Sequence, residues 1–199
     1  MSVTALYVSD DQLVTYARHA GFIGEQQNVA GAVAIAESAG NAHAIGDVAL
    51  EDSVWGPSVG LMQIRSLRAD RGTGRTRDEL ANLDSATNMR HAYDVFLAGR
   101  GWTPWSTYVH HTHQQFMTRI RTAISRSIVP TYTRQLAWHG GTTYQQGDDV
   151  RDCQEIVLVR VDGLYGPATA NAVKTWQAQR RIAVDGIVGP ITAHLFGWR

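Results

Sequence analysis

The apolar run Val29-Ala30-Gly31-Ala32-Val33-Ala34-Ile35-Ala36 closes on a lone carboxylate, Glu37, and then on the turn-like string Ser38-Ala39-Gly40-Asn41. This pattern predicts a helix from Glu25 to Glu37, with Glu37 on the face of Ala30, Val33 and Ala34. Ahead of it, Ser9 or Asp10 caps a first helix that reaches about His19. Residues 38 to 75 read as irregular chain with short helical turns, and helices follow near Asp78 to Leu83, Thr87 to Leu97 and Thr112 to Ile128, where Pro130 stops the last one. The stretch 131–147, with Gly140-Gly141-Thr142-Thr143 and Gln145-Gln146-Gly147, reads as a linker in which Trp138 is free to pack on a neighbouring domain. The expected fold is mainly α, with domains at 1–130 and 148–199.

The second domain announces itself by an internal repeat. Val161-Asp162-Gly163-Leu164-Tyr165-Gly166-Pro167-Ala168-Thr169-Ala170 returns 23 residues later as Val184-Asp185-Gly186-Ile187-Val188-Gly189-Pro190-Ile191-Thr192-Ala193. Asp-Gly makes a tight turn, and proline in the first helical turn starts a helix, so each copy is a loop that launches a helix. Between them Ala172, Val173, Trp176 and Gln177 fall at helical spacing and close a small core, and Asp148 to Gln154 supplies a first short helix. This doubled pattern resembles the three-helix peptidoglycan-binding domain of wall hydrolases. The resemblance implies wall contacts through Asp162, Gly163, Tyr165, Trp176, Asp185 and Gly186, and the short stretch Glu155 to Arg160 implies a trimmed groove.

Candidate chemistry centres on Glu37. A carboxyl facing the core side of a helix end is desolvated, holds its proton more tightly, and is suited to act as a general acid; the plainer alternative is a surface Glu at a frayed terminus. Downstream, Trp55-Gly56-Pro57-Ser58-Val59 leads into Gly60-Leu61-Met62-Gln63-Ile64, where a glycine opens a short apolar run broken by one amide side chain. The Glu37-Ser38 pair, Asn41, Ala44 and the Gly-Leu-Met-Gln-Ile string together resemble the lysozyme-like domain of soluble lytic transglycosylases and goose-type lysozymes. Asn88-Met89-Arg90-His91-Ala92-Tyr93 and Gly101-Trp102-Thr103-Pro104-Trp105-Ser106-Thr107-Tyr108 extend the likeness to the tyrosine of that active site, although Val109-His110-His111 departs from the Asn-Ala-Gly that many members carry next.

What the resemblance implies is a peptidoglycan-cleaving enzyme. Glu37 would be the general acid and base, with Ser38, Gly60, Met62, Gln63 and Tyr108 around the substrate and no cofactor. Cleavage of the β-1,4 bond between N-acetylmuramic acid and N-acetylglucosamine would leave a 1,6-anhydro product. Ordinary glycosidases need a second carboxylate. Asp47 and Asp52 are the candidates, as alternatives to loop-turn roles, and would position water in a hydrolytic muramidase. Two further classes stay open: a zinc-dependent wall peptidase or amidase built on His110, His111, His113, His43 and Asp47, and a wall-binding protein without catalysis. Adjacent histidines point in different directions and no His-Glu-x-x-His pair is present, so no metal site is expected.

Composition narrows the partners. A chain of 199 residues with 44% hydrophobic and 18% charged residues can bury two cores. Its formal net charge of +0 argues against nucleic acid, and wall binding must come from shape and hydrogen bonds. The single cysteine, Cys153, forms no internal disulfide and reads as a small buried hydrophobe. Met1-Ser2-Val3-Thr4-Ala5-Leu6-Tyr7-Val8 lacks the features of an export leader, and no run nears the roughly 20 apolar residues of a membrane span. A wall-active monomer made without a leader fits a phage endolysin held in the host cytoplasm until release; a virion-associated lysin and a processed cellular enzyme are the alternatives. Lys174 is the only lysine among 18 Lys and Arg, a bias that points to a G+C-rich genome.

Overall fold

Ser9 opens helix α1 (Asp10–Ala20) with a reciprocal cap: its hydroxyl accepts from the Gln12 amide at 3.2 Å, and the Gln12 side chain accepts from the Ser9 amide at 3.0 Å. The computed structural model describes residues 7–99, 101–127 and 129–199, so Met1 to Leu6, Arg100 and Ile128 lie outside the described residues. The chain divides after Ser127 into two units.

In the first unit, helix α2 (Glu25–Ser38) is buried at every position from Val29 to Ile35. A helix apolar all round must be a core helix, and α2 packs against α1 and against α5 (Met117–Arg126). Gly31 permits that approach, because a β-carbon there would lie 3.0 Å from two carbons of Ile120. Helix α3 (Ser85–Ala98) starts two residues before the expected Thr87, since the Asp84 carboxylate caps the Thr87 amide at 2.9 Å. A short helix, α4 (Ser106–Val109), follows the Trp-rich loop.

Three sequence expectations change. Residues 38–75 contain a three-stranded antiparallel sheet, β1 (Ile45–Gly46), β2 (Trp55–Val59) and β3 (Ile64–Leu67), in that order. Val59 stands opposite both Ile45 and Ile64, and the register between β2 and β3 shifts between Trp55 and Ser58, where Gly56-Pro57 interrupts the strand. Glycine and proline conceal the strand from a reading by propensity. Asp78 to Leu83 is not a helix beyond a single 3-10 turn at Ala81–Leu83, because the buried Asp78 carboxylate takes the amides of Gly74, Leu80 and Ala81 instead. The helix expected from Thr112 begins as a 3-10 segment, Thr112–Phe116, and turns α-helical only at Met117.

The second unit is mainly α, and among its described residues are three helices, α6 (Asp148–Val157), α7 (Pro167–Gln179) and α8 (Pro190–Leu195). Proline occupies the first turn of both α7 and α8. The sequence repeat is repeated in hydrogen bonds. Gln154 donates to Asp162 at 2.8 Å, to the Leu164 carbonyl at 3.1 Å and to Thr169 at 3.0 Å, while its carbonyl accepts from the Gly163 amide. Gln177 makes the same four contacts to Asp185, Ile187, Thr192 and Gly186. Both glutamines are 1% exposed, so each acts as an internal strut for one loop. Gly163 and Gly186 have φ of 76° and 72°, the left-handed turn that glycine enters freely.

Residues 131–147, expected as a linker, lie within this second unit. Leu136 is fully buried in its core and bridges to Val188, Arg134 pairs with Asp149 at 2.8 Å, and β4 (Gln145–Gln146) pairs with β5 (Leu164–Tyr165). The polar, glycine-rich composition reflects an extended surface strap, which needs few apolar anchors. Trp138 is 37% exposed. A fragment of residues 128–199 is therefore expected to unfold cooperatively in urea. A fragment starting at 148 loses the burial of Leu136, about 1.5–3 kcal/mol, as well as the Arg134 and β4 contacts. Equal urea midpoints for the two fragments would show that the strap adds nothing to the unit.

Candidate functional site

Glu37 lies in the last turn of α2, half-buried, on a cleft of about 620 Å³ in the first unit. Asp47, Leu50, Trp55, Ser58, Gln63, Ile64, Arg65 and Arg77 from the sheet side, with Val95, Pro104, Trp105 and Ser106 from α3 and the Trp-rich loop, complete the lining. Burial raises the Glu37 carboxyl above its ordinary value, the Thr107 hydroxyl and amide oppose the rise, and the charge of Asp47 adds to it. The position at the negative end of a helix works in the same direction as burial. Thr107 Oγ1 donates to Glu37 Oε1 at 2.5 Å. The carboxyl thus has a neutral hydroxyl for a partner, and among the described residues no ion pair fixes it as an anion.

The turn Gly60-Leu61-Met62-Gln63 leads into the cleft at Gln63 and is held by contacts from Asn88 and Trp105. The Asn88 amide, fully buried, accepts from the Met62 amide at 2.8 Å and donates to the carbonyls of Val59 and Asn82. Trp105 Nε1 donates to the Met62 carbonyl at 2.9 Å. Gly60 has φ 78°, and a β-carbon there would fall 2.4 Å from Asn88 Nδ2, so only glycine fits. Gln63 keeps its amide at the cleft wall by donating to the carbonyls of Ala44 and Gly60.

Among the expected substrate-side residues, Gln63 lines the cleft with Glu37, whereas Gly60 lies in the turn before it, pressed against Asn82 and Asn88. Met62 requires correction: its side chain is fully buried in the core and offers the cleft no contact. The Ser38 hydroxyl is also turned inward, donating to the Ala34 carbonyl at 2.8 Å and accepting from the Gly40 amide, so it secures the helix end. Tyr108 packs between Trp102 and His113, at 6.0 Å and 4.7 Å between ring centroids, and is absent from the lining. Its neighbour Thr107 reaches Glu37 instead, because α4 turns that side chain inward. Thr107, Arg65 and Arg77 were not singled out from sequence, and the arginines had no signal beyond a charged loop.

The two second-carboxylate candidates separate. Asp47 lines the cleft, where its carboxylate accepts from the Ser58 hydroxyl at 2.5 Å and lies 3.8 Å from Arg65. Asp52 caps a turn through the amides of Val54 and Trp55, each at 2.7 Å, which holds its carboxyl below the ordinary value. Of the histidines, His110 and His111 are exposed while His113 is buried against Tyr108. Among the described residues no group of three or more His, Cys, Asp or Glu side chains is placed to hold a metal ion, and no helix is long and apolar enough to cross a membrane.

In the second unit the residues expected to touch the wall are largely structural. Tyr165 is fully buried and donates to the Gly186 carbonyl at 3.0 Å, Trp176 packs edge-on against Phe196 under Arg180, and Gly163 and Gly186 are buried. Asp162 and Asp185 are exposed but spend one oxygen each on the glutamine struts and on the amides of Leu164 and Ile187. These residues shape the two Asp-Gly loops. Cys153 is fully buried with its thiol pushed well above the ordinary value by burial.

Residues 14–107 match the family model described as a lysozyme like domain, and residues 146–195 match that of a peptidoglycan binding domain. Comparison with curated proteins and with solved structures found no match.

A carboxyl whose folded value lies above its ordinary 4.5 binds more protons folded than unfolded, so stability falls as pH rises from 4.5 through the raised value. Glu37→Gln removes this loss. The variant should be more stable than the parent at neutral pH and should lose the advantage below the ordinary carboxyl range, as measured by urea unfolding at two pH values. A neutral-pH parent as stable as the variant would show that burial imposes no penalty on Glu37.

Proposed function

We propose, for a chain that joins a lysozyme-like domain to a peptidoglycan-binding domain, that the cleft of the first unit cleaves the wall glycan as a lytic transglycosylase with Glu37 as its acid and base. One observation carries this reading: Glu37 is held toward its protonated form at the surface of the cleft and faces a hydroxyl partner. That is the state a general acid needs before it protonates a glycosidic oxygen. Glu37 gives its proton to the oxygen of the β-1,4 bond between N-acetylmuramic acid and N-acetylglucosamine. The acetamido group of the substrate stabilises the cationic centre, as in other substrate-assisted glycosidases. Glu37, now a carboxylate, takes the proton of the C6 hydroxyl, and that oxygen closes the 1,6-anhydro ring. Thr107 steadies the carboxylate between the two steps, and the Gln63 amide and the Trp105 ring shape the sugar site.

A second reading, a hydrolytic muramidase, is favoured by the position of Asp47. It faces the same cleft, its charge raises the Glu37 carboxyl, and Ser58 orients it. Water held by Asp47 would replace the C6 hydroxyl. Asp52, tied into its turn, has no part in this version. The second unit would raise the local concentration of glycan at the cleft, an arrangement that suits an endolysin or a virion-associated lysin.

Glu37→Gln is expected to abolish clearing of purified walls while leaving the fold intact, since the amide is nearly isosteric and has no acid proton. Wild-type clearing by a folded Glu37→Gln chain would end this assignment. Mass spectrometry of the digest separates the two chemistries, because anhydro-muropeptides weigh one water less than reducing-end products. With a transglycosylase, Asp47→Asn should slow the reaction by less than about tenfold and retain anhydro products. Reducing-end products, together with a loss of about a hundredfold in Asp47→Asn and little change in Asp52→Asn, would establish the hydrolase.

A further inference from the structure

Four of the side chains lining the cleft ionise: Glu37, Asp47, Arg65 and Arg77. Asp47 and Arg65 answer each other at 3.8 Å, and Glu37 takes the Thr107 hydroxyl. Arg77 is left over, since among the described residues no carboxylate lies within ion-pair distance of it. It is nonetheless held in place. Nη1 donates to the Arg65 carbonyl at 2.9 Å, its own carbonyl accepts from the Leu67 amide at 2.9 Å, and the guanidinium carbon lies 5.3 Å from the centroid of the Trp55 ring. Nε and Nη2 have no partner among the described residues. A guanidinium plated on an aromatic ring has lost part of its freedom and part of its hydration, and its remaining fork matches the two oxygens of a carboxylate.

We propose that Arg77, backed by Trp55, is the anion-recognising residue of the cleft and takes a carboxylate of the glycan substrate, an inference that rests on reading this cleft as the glycan site. Muramic acid residues carry that group in two ways, as the lactyl carboxylate where no peptide is attached and as the carboxylates of the stem peptide where one is. A glycan of N-acetylglucosamine alone carries neither. Arg77 would therefore distinguish wall glycan from chitin-like glycan and set the strand in register against Glu37, with Arg65 already committed to Asp47.

The test is a binding cycle on the full-length Glu37→Gln chain, read by isothermal calorimetry with soluble tetrasaccharides of alternating N-acetylglucosamine and N-acetylmuramic acid. Three forms are compared: free lactyl carboxylates, the same groups amidated, and stems of L-Ala-D-Glu attached. Neutralising the lactyl groups should weaken binding about tenfold when Arg77 is present and have little effect when Arg77→Gln is added, with Arg77→Lys in between because it keeps charge and loses the fork. Retention of the full effect by the stem-bearing form would identify the peptide carboxylate as the group recognised, and its loss the lactyl one. The carboxylate preference of the parent should also shrink as salt is raised, a readout that needs no Arg77 variant to fold. Equal binding of all three forms, or the same differences among them with and without Arg77, would overturn the inference and leave the glycan site standing. No binding of any form would overturn both.

Discussion

Asn88 is fully buried, and its one amide serves three backbone groups: it accepts from the Met62 amide and donates to the carbonyls of Val59 and Asn82. An orphaned buried group costs about 1–3 kcal/mol, so the turn after β2 has a steep energetic reason to stay where it is. Everything at the cleft refers to that turn. Trp105 hangs from its outer carbonyl, Gln63 is folded back across its base, and the absence of a side chain at Gly60 lets the amide come close enough to act. Thr107 follows Trp105 by two residues, so the position of the Glu37 partner is inherited from the same clamp.

Glu37 itself sits at a point of opposed forces. Helix α2 is buried because it is apolar on every face, and a helix of that kind carries whatever ends it into the core. Burial and the negative end of the helix favour the neutral carboxyl, whereas the Thr107 hydroxyl favours the anion. Of these opposed influences burial is the larger, and the carboxyl is raised above its ordinary value. A full ion pair would favour the anion, and one of the two guanidiniums of the cleft, that of Arg65, is instead engaged by Asp47.

The second unit solves a different problem. Its loops contain turns that a small core cannot fix by packing alone, and each is held by one buried glutamine reaching an aspartate, a threonine and two backbone groups. Duplication of the strut explains why the Asp-Gly and Pro-x-Thr elements recur together: the threonine in the first turn of each helix is a partner of the glutamine that holds the loop before it.

The sequence by itself determined the elements whose cause is local. The cap of the first helix at Ser9 or Asp10, the apolar run of α2 with its terminal carboxylate, and the duplicated turn and helix of the second unit are written in consecutive residues, as are the likenesses to a lysozyme like domain and a peptidoglycan binding domain. Only the tertiary structure decided which side chains meet. The sheet of β1 to β3 was hidden because Gly56 and Pro57 break the alternation that marks a strand, and pairing with β3 overrides them. Met62, Tyr108, Tyr165 and Trp176 belong to recognisable motifs yet point into cores, since a motif fixes a position along the chain and not the face it presents. Thr107 and Arg77 were illegible for the converse reason: their partners are 70 and 22 residues away, at Glu37 and Trp55, and no local pattern records an encounter that only the packed chain brings about.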